Sequence, residues 1–161
     1  MHEDVGRYDA AISLDGVLIE AMGKPGLELI VGAKNDPEWG AVILAGFGGV
    51  AAEILQDVRL FTPDMTIETI IAELDRLKSG ALLRGYRGSP ALDVQAVAVL
   101  VRTLGRILVA HPVIREIDLN PVVVYPHGQG IVALDALILT DGDPEGRGEN
   151  HPATRRLATL S

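Results

Sequence analysis

The sequence predicts an α+β fold in which a mainly antiparallel sheet packs against two or more helices. Three observations support it: short apolar segments separated by turns in the first half, two stretches with helical periodicity in the middle, and a hairpin signal near the C-terminus. The chain has 161 residues, 48% of them hydrophobic, which is enough for one compact domain with a real core.

The first half predicts successive strands joined by short turns. Residues 17–22 and 27–34 are strand-like runs separated by the turn GKPG, and residues 41–46 follow the turn NDPEWG. Residues 41–46 are apolar at nearly every position, which is typical of a central or covered strand. A loop then leads into a bent strand that begins at Val58. Short turns between consecutive strands predict antiparallel pairing.

Two helices are predicted between the strands. The first covers residues 66–77, with Thr66 as its cap and Gly80 as its stop, and the second lies between Pro90 and His111. Each has apolar residues at helical spacing on one face, which predicts burial against the sheet. These residues are Ile67, Ile70, Ile71, Leu74 and Leu77 in the first helix, and Val94, Val97, Val101, Leu104 and Leu108 in the second.

A hairpin is predicted from residue 113 to 139, and it carries a possible metal site. Asp118 and Asn120 are two residues apart on a strand, so their side chains face the same side. If the loop is the four residues 126–129, Asn120 lies opposite Asp135 in the returning strand, which runs from 131 to 139. Carboxylate and amide oxygens suit Mg²⁺, which takes one or two carboxylates and keeps water and phosphate as further ligands.

The pattern also allows a purely structural role for these polar groups. Asp118 and Asn120 could cap the strand end or form an Asx turn with Pro121, and Asp135 could pair with a nearby arginine. A D-x-N motif is weak by itself.

Composition restricts the partners and the compartment. The net charge is −8, from 22 acidic and 14 basic residues, which gives no electrostatic footprint for nucleic acid or an anionic membrane. The chain has no cysteine, and its first residues lack the pattern of a signal peptide. We therefore expect a cytoplasmic protein with neither nucleic acid nor membrane as its partner. The polar segment 141–161 is expected to be a flexible tail.

Several motifs occur in the order that one family shows. They are VLIEAM, GLELIVG, a WG turn, GFGGVAAEILQD, LLRGYRG, EIDLNPVVVYPHG and VALDALI, spread over residues 10–138. Together they resemble the ATP-grasp portion of the NDP-forming acyl-CoA synthetases, such as ADP-forming acetyl-CoA synthetase, and more distantly the β subunit of succinyl-CoA synthetase. The resemblance implies an ATP-grasp C-terminal lobe over residues 1–140, followed by the tail.

The resemblance also implies roles for individual residues. Glu20, Ala21 and Met22 would contact adenine, mainly through backbone groups, and Glu28 would approach the ribose or the hinge. The family's magnesium ligands match Asn120 and Asp135, with Asp118 beside them, in agreement with the hairpin argument.

The remaining candidates lie in two glycine-containing segments. Glu53 of GFGGVAAE would serve the nucleotide site, although the glycines there are equally compatible with a β-bulge. In LLRGYRG, Arg84 would bind the cofactor and Arg87 would be the catalytic residue that steadies the transferring phosphate. Surface ion pairs are the alternative for this loop. His111 and His127 match no phosphohistidine motif, so no catalytic histidine is assigned.

The first ATP-grasp lobe, with its phosphate loop and lysines, and the CoA-binding domain are expected to be missing. We therefore expect a lobe that binds ATP or ADP and Mg²⁺, and a ligase reaction, acyl-CoA + ADP + phosphate ⇌ carboxylic acid + ATP + CoA, that this chain does not catalyse alone. Its expected partners are the missing lobe, a CoA-binding subunit or a second copy. The alternative is a non-catalytic module for nucleotide sensing or subunit interaction.

Overall fold

The computed structural model describes residues 19, 21–48, 57–142 and 159–160. Within them the chain forms seven β-strands, two α-helices and a short 3₁₀ turn at Gly80–Leu82. In chain order the elements are β1 (Leu27–Asp36), β2 (Gly40–Phe47), β3 (Val58–Phe61), α1 (Ile67–Leu74), α2 (Val94–Ala110), β4 (Ile114–Val124), β5 (Ile131–Ala133), β6 (Ala136–Thr140) and β7 (Thr159–Leu160).

All strand pairs belong to one antiparallel sheet. Its order is β3-β2-β1-β4-β5-β7, and β6 also pairs with β4. β1 and β2 form a hairpin. Asp36 stabilises its turn, because the Asp36 carboxylate accepts hydrogen bonds from the backbone N–H groups of Glu38 and Trp39. This antiparallel sheet with its two helices confirms the predicted α+β architecture.

Both predicted helices are present. α1 begins after Thr66, whose hydroxyl accepts a hydrogen bond from the N–H of Thr69, as the sequence predicts. It ends at Leu74, about one turn earlier than predicted, and Leu77 is buried beyond its end. α2 begins after Asp93, a cap that the sequence analysis did not identify, and ends before His111.

The two helices cover one face of the sheet and form the core with it. Alternate residues of β1 and β2 point toward the helices, while the apolar stripes of α1 and α2 point back. The fully buried members of this core include the side chains of Leu29, Val31, Ile43, Ala45, Phe61, Ile70, Leu74, Leu83, Val97, Ala98, Val101, Leu108, Val122 and Val124.

The β4–β5 hairpin has the predicted register. The N–H of Tyr125 donates to the carbonyl of Gly130, and the N–H of Asn120 donates to the carbonyl of Asp135, both at 3.2 Å. Against β1, however, β4 contains one extra residue, because Leu29 pairs with Val122 whereas Val31 pairs with Leu119. The bulge falls at Asn120-Pro121, whose peptide bond is cis.

The returning strand is broken, and in this respect the sequence prediction was wrong. Instead of one strand over 131–139, β5 and β6 are separated by Leu134 and Asp135. Pro121 lies opposite this break, and because it has no N–H it cannot donate to the ladder there. Asp135 is therefore an exposed residue between two strands and not a charge inside a strand.

The ends of the chain are described only in part. Of the predicted strand at 17–22, residues 17, 18 and 20 lie outside the described residues, and residues 19, 21 and 22 are not in a strand. In the predicted tail, Thr159 and Leu160 pair with β5 as β7, and residues 143–158 lie outside the described part. Neither described helix has the length and apolar composition needed to span a membrane.

Candidate functional site

The candidate residues of the sheet belong to the face that points away from α1 and α2, which we call the open face. On β4, Asp118 is half-buried and Asn120 is exposed, whereas Leu119 between them and Ile117 before them are buried against the core. The strand alternation thus places both polar side chains on the open face, as predicted. The other members of the open face used below are Glu28, Gly32, Lys34, Val42, Leu44, Leu60, Glu116 and Leu137.

Among the residues that the structure describes, Asp118 is surrounded by like charges and by no counter-charge. Partial burial raises its pKa, and the negative charges of Glu116 and Asp135 raise it further. Within the described residues, the Asp118 side chain makes no hydrogen bond or ion pair. A bound cation would stabilise the charged form of this group.

Asn120 and Asp135 are brought together across the hairpin. Their backbones share the hydrogen bond described above, and one Asp135 carboxylate oxygen accepts a hydrogen bond from the N–H of Ala136 at 2.9 Å. Asp135 also interacts electrostatically with Asp118. The donor set of two carboxylates and one amide fits Mg²⁺, which takes one or two carboxylates and completes its shell with water and phosphate.

In the described part of the chain, no group of three His, Cys, Asp or Glu side chains is arranged to hold a metal by itself. Glu116 adds negative charge to the open face, and the same alternation that singled out Asp118 also places Glu116 there, two residues earlier. Glu116 was not among the site residues predicted from the sequence. The residues therefore fit a metal that is also held by an amide and by a ligand's phosphates.

The predicted adenine segment passes beside the hairpin. Residues 21–26 have no regular structure, and a Cβ added at Gly23 would lie 3.0 Å from a methyl carbon of Leu134, the neighbour of Asp135. The hydroxyl of Tyr125 donates to the carbonyl of Lys24 at 3.3 Å. Ala21 and Met22 are exposed at the start of this segment.

Glu28 is an exposed residue of β1 and pairs with Val123 of β4. It is the second residue of β1, directly after the point where the segment 21–26 enters the sheet. Glu28 thus lies beside the hairpin that carries Asn120 and Asp135, and the segment that begins with Ala21 and Met22 reaches this hairpin at Gly23. Two further candidates, Glu20 and Glu53, lie outside the described residues.

The loop that carries Arg84 and Arg87 leads into a segment that contacts the β4–β5 turn, at the other end of the hairpin from Asn120 and Asp135. The N–H of His127, in the β4–β5 turn, donates to the carbonyl of Ala91 at 2.9 Å. Arg84 forms an ion pair with Asp75 at 3.1 Å, the type of surface pair considered as the alternative. Within the described residues, neither Arg84 nor Arg87 makes a hydrogen bond or ion pair with the three metal candidates.

Arg87 has an unusual backbone. Its φ is +51°, and Gly85 and Gly88 on either side of it also have positive φ values. For a residue other than glycine this region costs roughly 1 kcal/mol. The guanidinium lies over the ring of Tyr86, 5.2 Å from the centroid, within the range of a cation–π contact. The loop therefore presents Arg87 in a defined, exposed position.

A groove of about 610 Å³ lies on the open face. Its walls are mostly apolar and include Trp39, which is 81% exposed, and Leu60, which is 62% exposed. None of the predicted site residues lines it, but Gly32 and Glu116 do, and these two flank Asp118 on β1 and β4. The groove therefore borders the strand positions next to Asp118 and does not include Asp118 itself.

Asp93 is a positioning residue that sequence reasoning missed. One carboxylate oxygen caps α2 by accepting from the N–H of Ala96, and the other accepts from the N–H groups of Gly128 and Gly130 at 2.9 and 3.0 Å. Asp93 thereby ties the β4–β5 turn to the start of α2. Its place just before an apolar periodic stretch is a recognisable cap signal, but the partners in the turn are distant in sequence.

Comparison with known proteins identifies the domain. Residues 1–139 match the family model of an ATP-grasp domain. The chain is 58% identical over 141 residues to a trans-feruloyl-CoA synthase of unknown prokaryotic origin, covering 88% of this chain and 20% of that protein. It is 35% identical over 143 residues to the β subunit of ADP-forming acetate–CoA ligase II of Pyrococcus furiosus, covering 88% of this chain and 61% of that subunit.

Solved structures agree. An acetyl-coenzyme A synthetase 1 of Ca. Korarchaeum cryptofilum in its apo form superposes with a TM-score of 0.74 at 32% identity, covering 86% of this chain and 65% of that one. Its complex with coenzyme A and Mg-AMPPCP gives 0.68 at 35% identity, covering 74% and 55%. The chain therefore belongs to the ATP-grasp domain family, in the form that ADP-forming acyl-CoA synthetases carry.

Proposed function

We propose that the chain is the lobe of an ADP-forming acyl-CoA synthetase that holds Mg²⁺ and the nucleotide phosphates. The observation that carries the proposal is the arrangement on the open face. Asn120 lies opposite Asp135, and the half-buried carboxylate of Asp118 interacts with like charges and with no cation of the described chain. Membership of the family supports a nucleotide as the ligand, since one structural relative was solved with Mg-AMPPCP.

Each candidate has a role in this proposal. Asn120 and Asp135 would hold the metal directly, and Asp118 would assist. When bound, Mg²⁺ would neutralise charge on the phosphates. Residues 20–22 with Glu28 would hold the nucleoside, and Glu53 and Arg84 would support the site.

Arg87 would be the group that meets the transferring phosphate. Its guanidinium offers a planar fork of donors that matches phosphate oxygens, and its stacking on Tyr86 limits the orientations that it must lose on binding. Because the described structure does not place it beside the metal candidates, the proposal requires the loop 84–89 to close toward the nucleotide. The flanking glycines give the backbone that freedom.

The whole reaction, acyl-CoA + ADP + phosphate ⇌ carboxylic acid + ATP + CoA, requires more protein than this chain. The chain spans one fifth of the feruloyl-CoA synthase and 61% of the P. furiosus subunit. Coenzyme A and the acyl group would therefore bind to another part of the enzyme, either a further segment or a partner subunit. The exposed Trp39 and Leu60 offer an apolar surface to such a partner.

Calorimetric titration of Mg·ADP and Mg·ATP into the wild-type chain and into Asp135→Asn tests the metal site. Loss of one of two carboxylate ligands is expected to weaken binding about tenfold or more, and the loss should disappear when Mg²⁺ is omitted. Asp64→Asn is the matched control, because it removes one exposed carboxylate from the loop before α1.

Equal affinity of wild type and Asp135→Asn for Mg·ADP would contradict the proposal. In that case the alternative, a module that binds a partner subunit without holding magnesium, becomes the better account. Adding the candidate partner to the same titration distinguishes a site that needs its other half from one that does not exist.

A further inference from the structure

Gly32 is a glycine that the fold does not require. It lies inside β1 with an ordinary strand backbone, and a Cβ added there would meet only the carbonyl oxygen of Ile117, at 3.8 Å. Gly46 on β2 is different, because a Cβ there would collide with the carbonyl oxygen of Asp57. Glycine inside a strand costs stability relative to alanine, so its presence at position 32 needs another reason.

The position of Gly32 on the open face supplies that reason. It pairs with Asp118 of β4 on one side and with Leu44 of β2 on the other. Directly opposed β-carbons lie about 5 Å apart, so any side chain at position 32 would stand beside the Asp118 carboxylate. On its other flank, Asp118 faces the apolar side chain of Leu137, which pairs with it from β6. Among the described residues, Gly32 therefore leaves open the flank of Asp118 that faces β1.

We propose that Gly32 is a positioning residue that keeps space beside Asp118 for a hydrated metal ion and the phosphate chain of its nucleotide. The proposal rests on the function proposed above. Mg²⁺ retains several of its waters when it binds protein carboxylates, so its ligand needs free volume around the carboxylate as well as charge. A side chain at position 32 would displace those waters while leaving every candidate ligand in place.

The test is a series of increasing side-chain size, Gly32→Ala and Gly32→Val, in the full chain. Mg·ADP affinity is followed by NMR titration, which measures weak binding, and Tm is recorded for each variant. Affinity is expected to fall a few-fold for alanine and about tenfold for valine. Tm is expected to rise by about 1–4 °C for alanine, because the substitution relieves the strand of a glycine.

Val42→Ile is the matched control. It adds one carbon to the same groove, but it lies two strands from β4, about 10 Å away. It is expected to leave Mg·ADP affinity unchanged. A second readout separates metal from nucleotide: the Mg²⁺ concentration that gives half-saturation at fixed ADP should increase for Gly32→Val, whereas metal-free ADP affinity should change little.

Asp135→Asn, titrated in parallel, separates the two proposals. If it weakens Mg·ADP binding but Gly32→Val does not, the role of Gly32 is wrong and the metal site stands. If neither variant changes the affinity, both proposals are wrong. If Gly32→Val loses affinity only together with a lowered Tm, position 32 is structural, and the inference is overturned.

Discussion

The two faces of the sheet differ in what their side chains do, although the same strands build both. Toward α1 and α2, the side chains of Leu29, Val31 and Ile43 are sealed from water. On the open face, the neighbouring positions carry Glu28, Ile30, glycine and Lys34 on β1, and three polar residues on β4. Burial alternates along β1 from Glu28 to Lys34 and along β4 from Ile117 to Asn120.

The comparison shows how one strand separates stability from function. On β4, Ile117 and Leu119 contribute to the core, while Asp118 and Asn120, one position away, are the candidate ligands. A substitution on the covered face should therefore change the free energy of unfolding, and one on the open face should change binding. Three predictions, in order of decreasing effect, test this division.

The largest effect is expected for Leu29→Ala, on the covered face of β1. Leu29 is fully buried, and removing its isobutyl group leaves a cavity, so the variant should lose about 3–4 kcal/mol in free energy of unfolding. Lys34→Ala changes an exposed residue of the same strand and should stay within about 0.5 kcal/mol of wild type. Denaturant unfolding measures both, and similar losses in the two variants would refute the division into faces.

A smaller effect is expected for Asp93→Ala, which cuts the link between the helix layer and the hairpin of the open face. The variant loses a helix cap and leaves the N–H groups of Gly128 and Gly130 without this acceptor, so the expected loss is about 2–3 kcal/mol. Thr66→Ala removes only the exposed cap of α1 and should cost about 1 kcal/mol. Chemical denaturation compares the two, and amide exchange at Gly128 and Gly130 should accelerate only in Asp93→Ala.

The smallest of the three effects is expected for Asp57→Asn, and it depends on pH. Burial opposes ionisation of Asp57, but hydrogen bonds from the N–H groups of Ser79 and Lys78 outweigh it and hold the pKa below its ordinary value. The stability that this carboxylate contributes is therefore present above its unfolded-state pKa and is lost as pH falls through the lowered, folded-state pKa.

Asp57→Asn should accordingly lose about 1–2 kcal/mol at pH 7, and the difference from wild type should shrink in acid. Unfolding curves recorded from pH 7 downward measure it, with Glu38→Gln, an exposed carboxylate in the β1–β2 turn, as the comparison. A difference that stays constant with pH would show that the Asp57 charge does not stabilise the fold. Asp57 contrasts with Asp118, whose pKa is raised and whose carboxylate accepts no hydrogen bond from the described residues.

Local patterns in the sequence predicted much of this fold. The alternation at 117–120 and the four-residue loop at 126–129 were sufficient to place Asn120 opposite Asp135, because a hairpin register follows from its turn. Helical spacing likewise predicted α1 and α2. Of the three metal candidates, Asp118 and Asn120 came from this alternation and Asp135 from the hairpin register, and the motif resemblance then assigned the remaining site residues.

The features that sequence reasoning missed depend on contacts between distant segments. The break at Leu134 and Asp135 arises opposite Pro121, fourteen positions from Asp135 along the chain. The bulge on β4 becomes visible only when β1 is paired with it. Asp93 and Asp57 are buried and accept hydrogen bonds from backbone groups that are distant in sequence, at Gly128 and at Ser79. Local patterns therefore could not predict these contacts.

The central claim, that the open face beside the β4–β5 hairpin holds a divalent metal with a nucleotide, is tested most directly by NMR with Mn²⁺·ADP. Mn²⁺ accepts the same oxygen ligands as Mg²⁺ and broadens the signals of nearby amides. The account predicts that broadening is strongest at residues 118–120 and 134–136, extends to residues 21–28, and is much weaker in Asp135→Asn. Broadening centred on α1, α2 or the Asp57 region, with the hairpin signals unchanged, would contradict it.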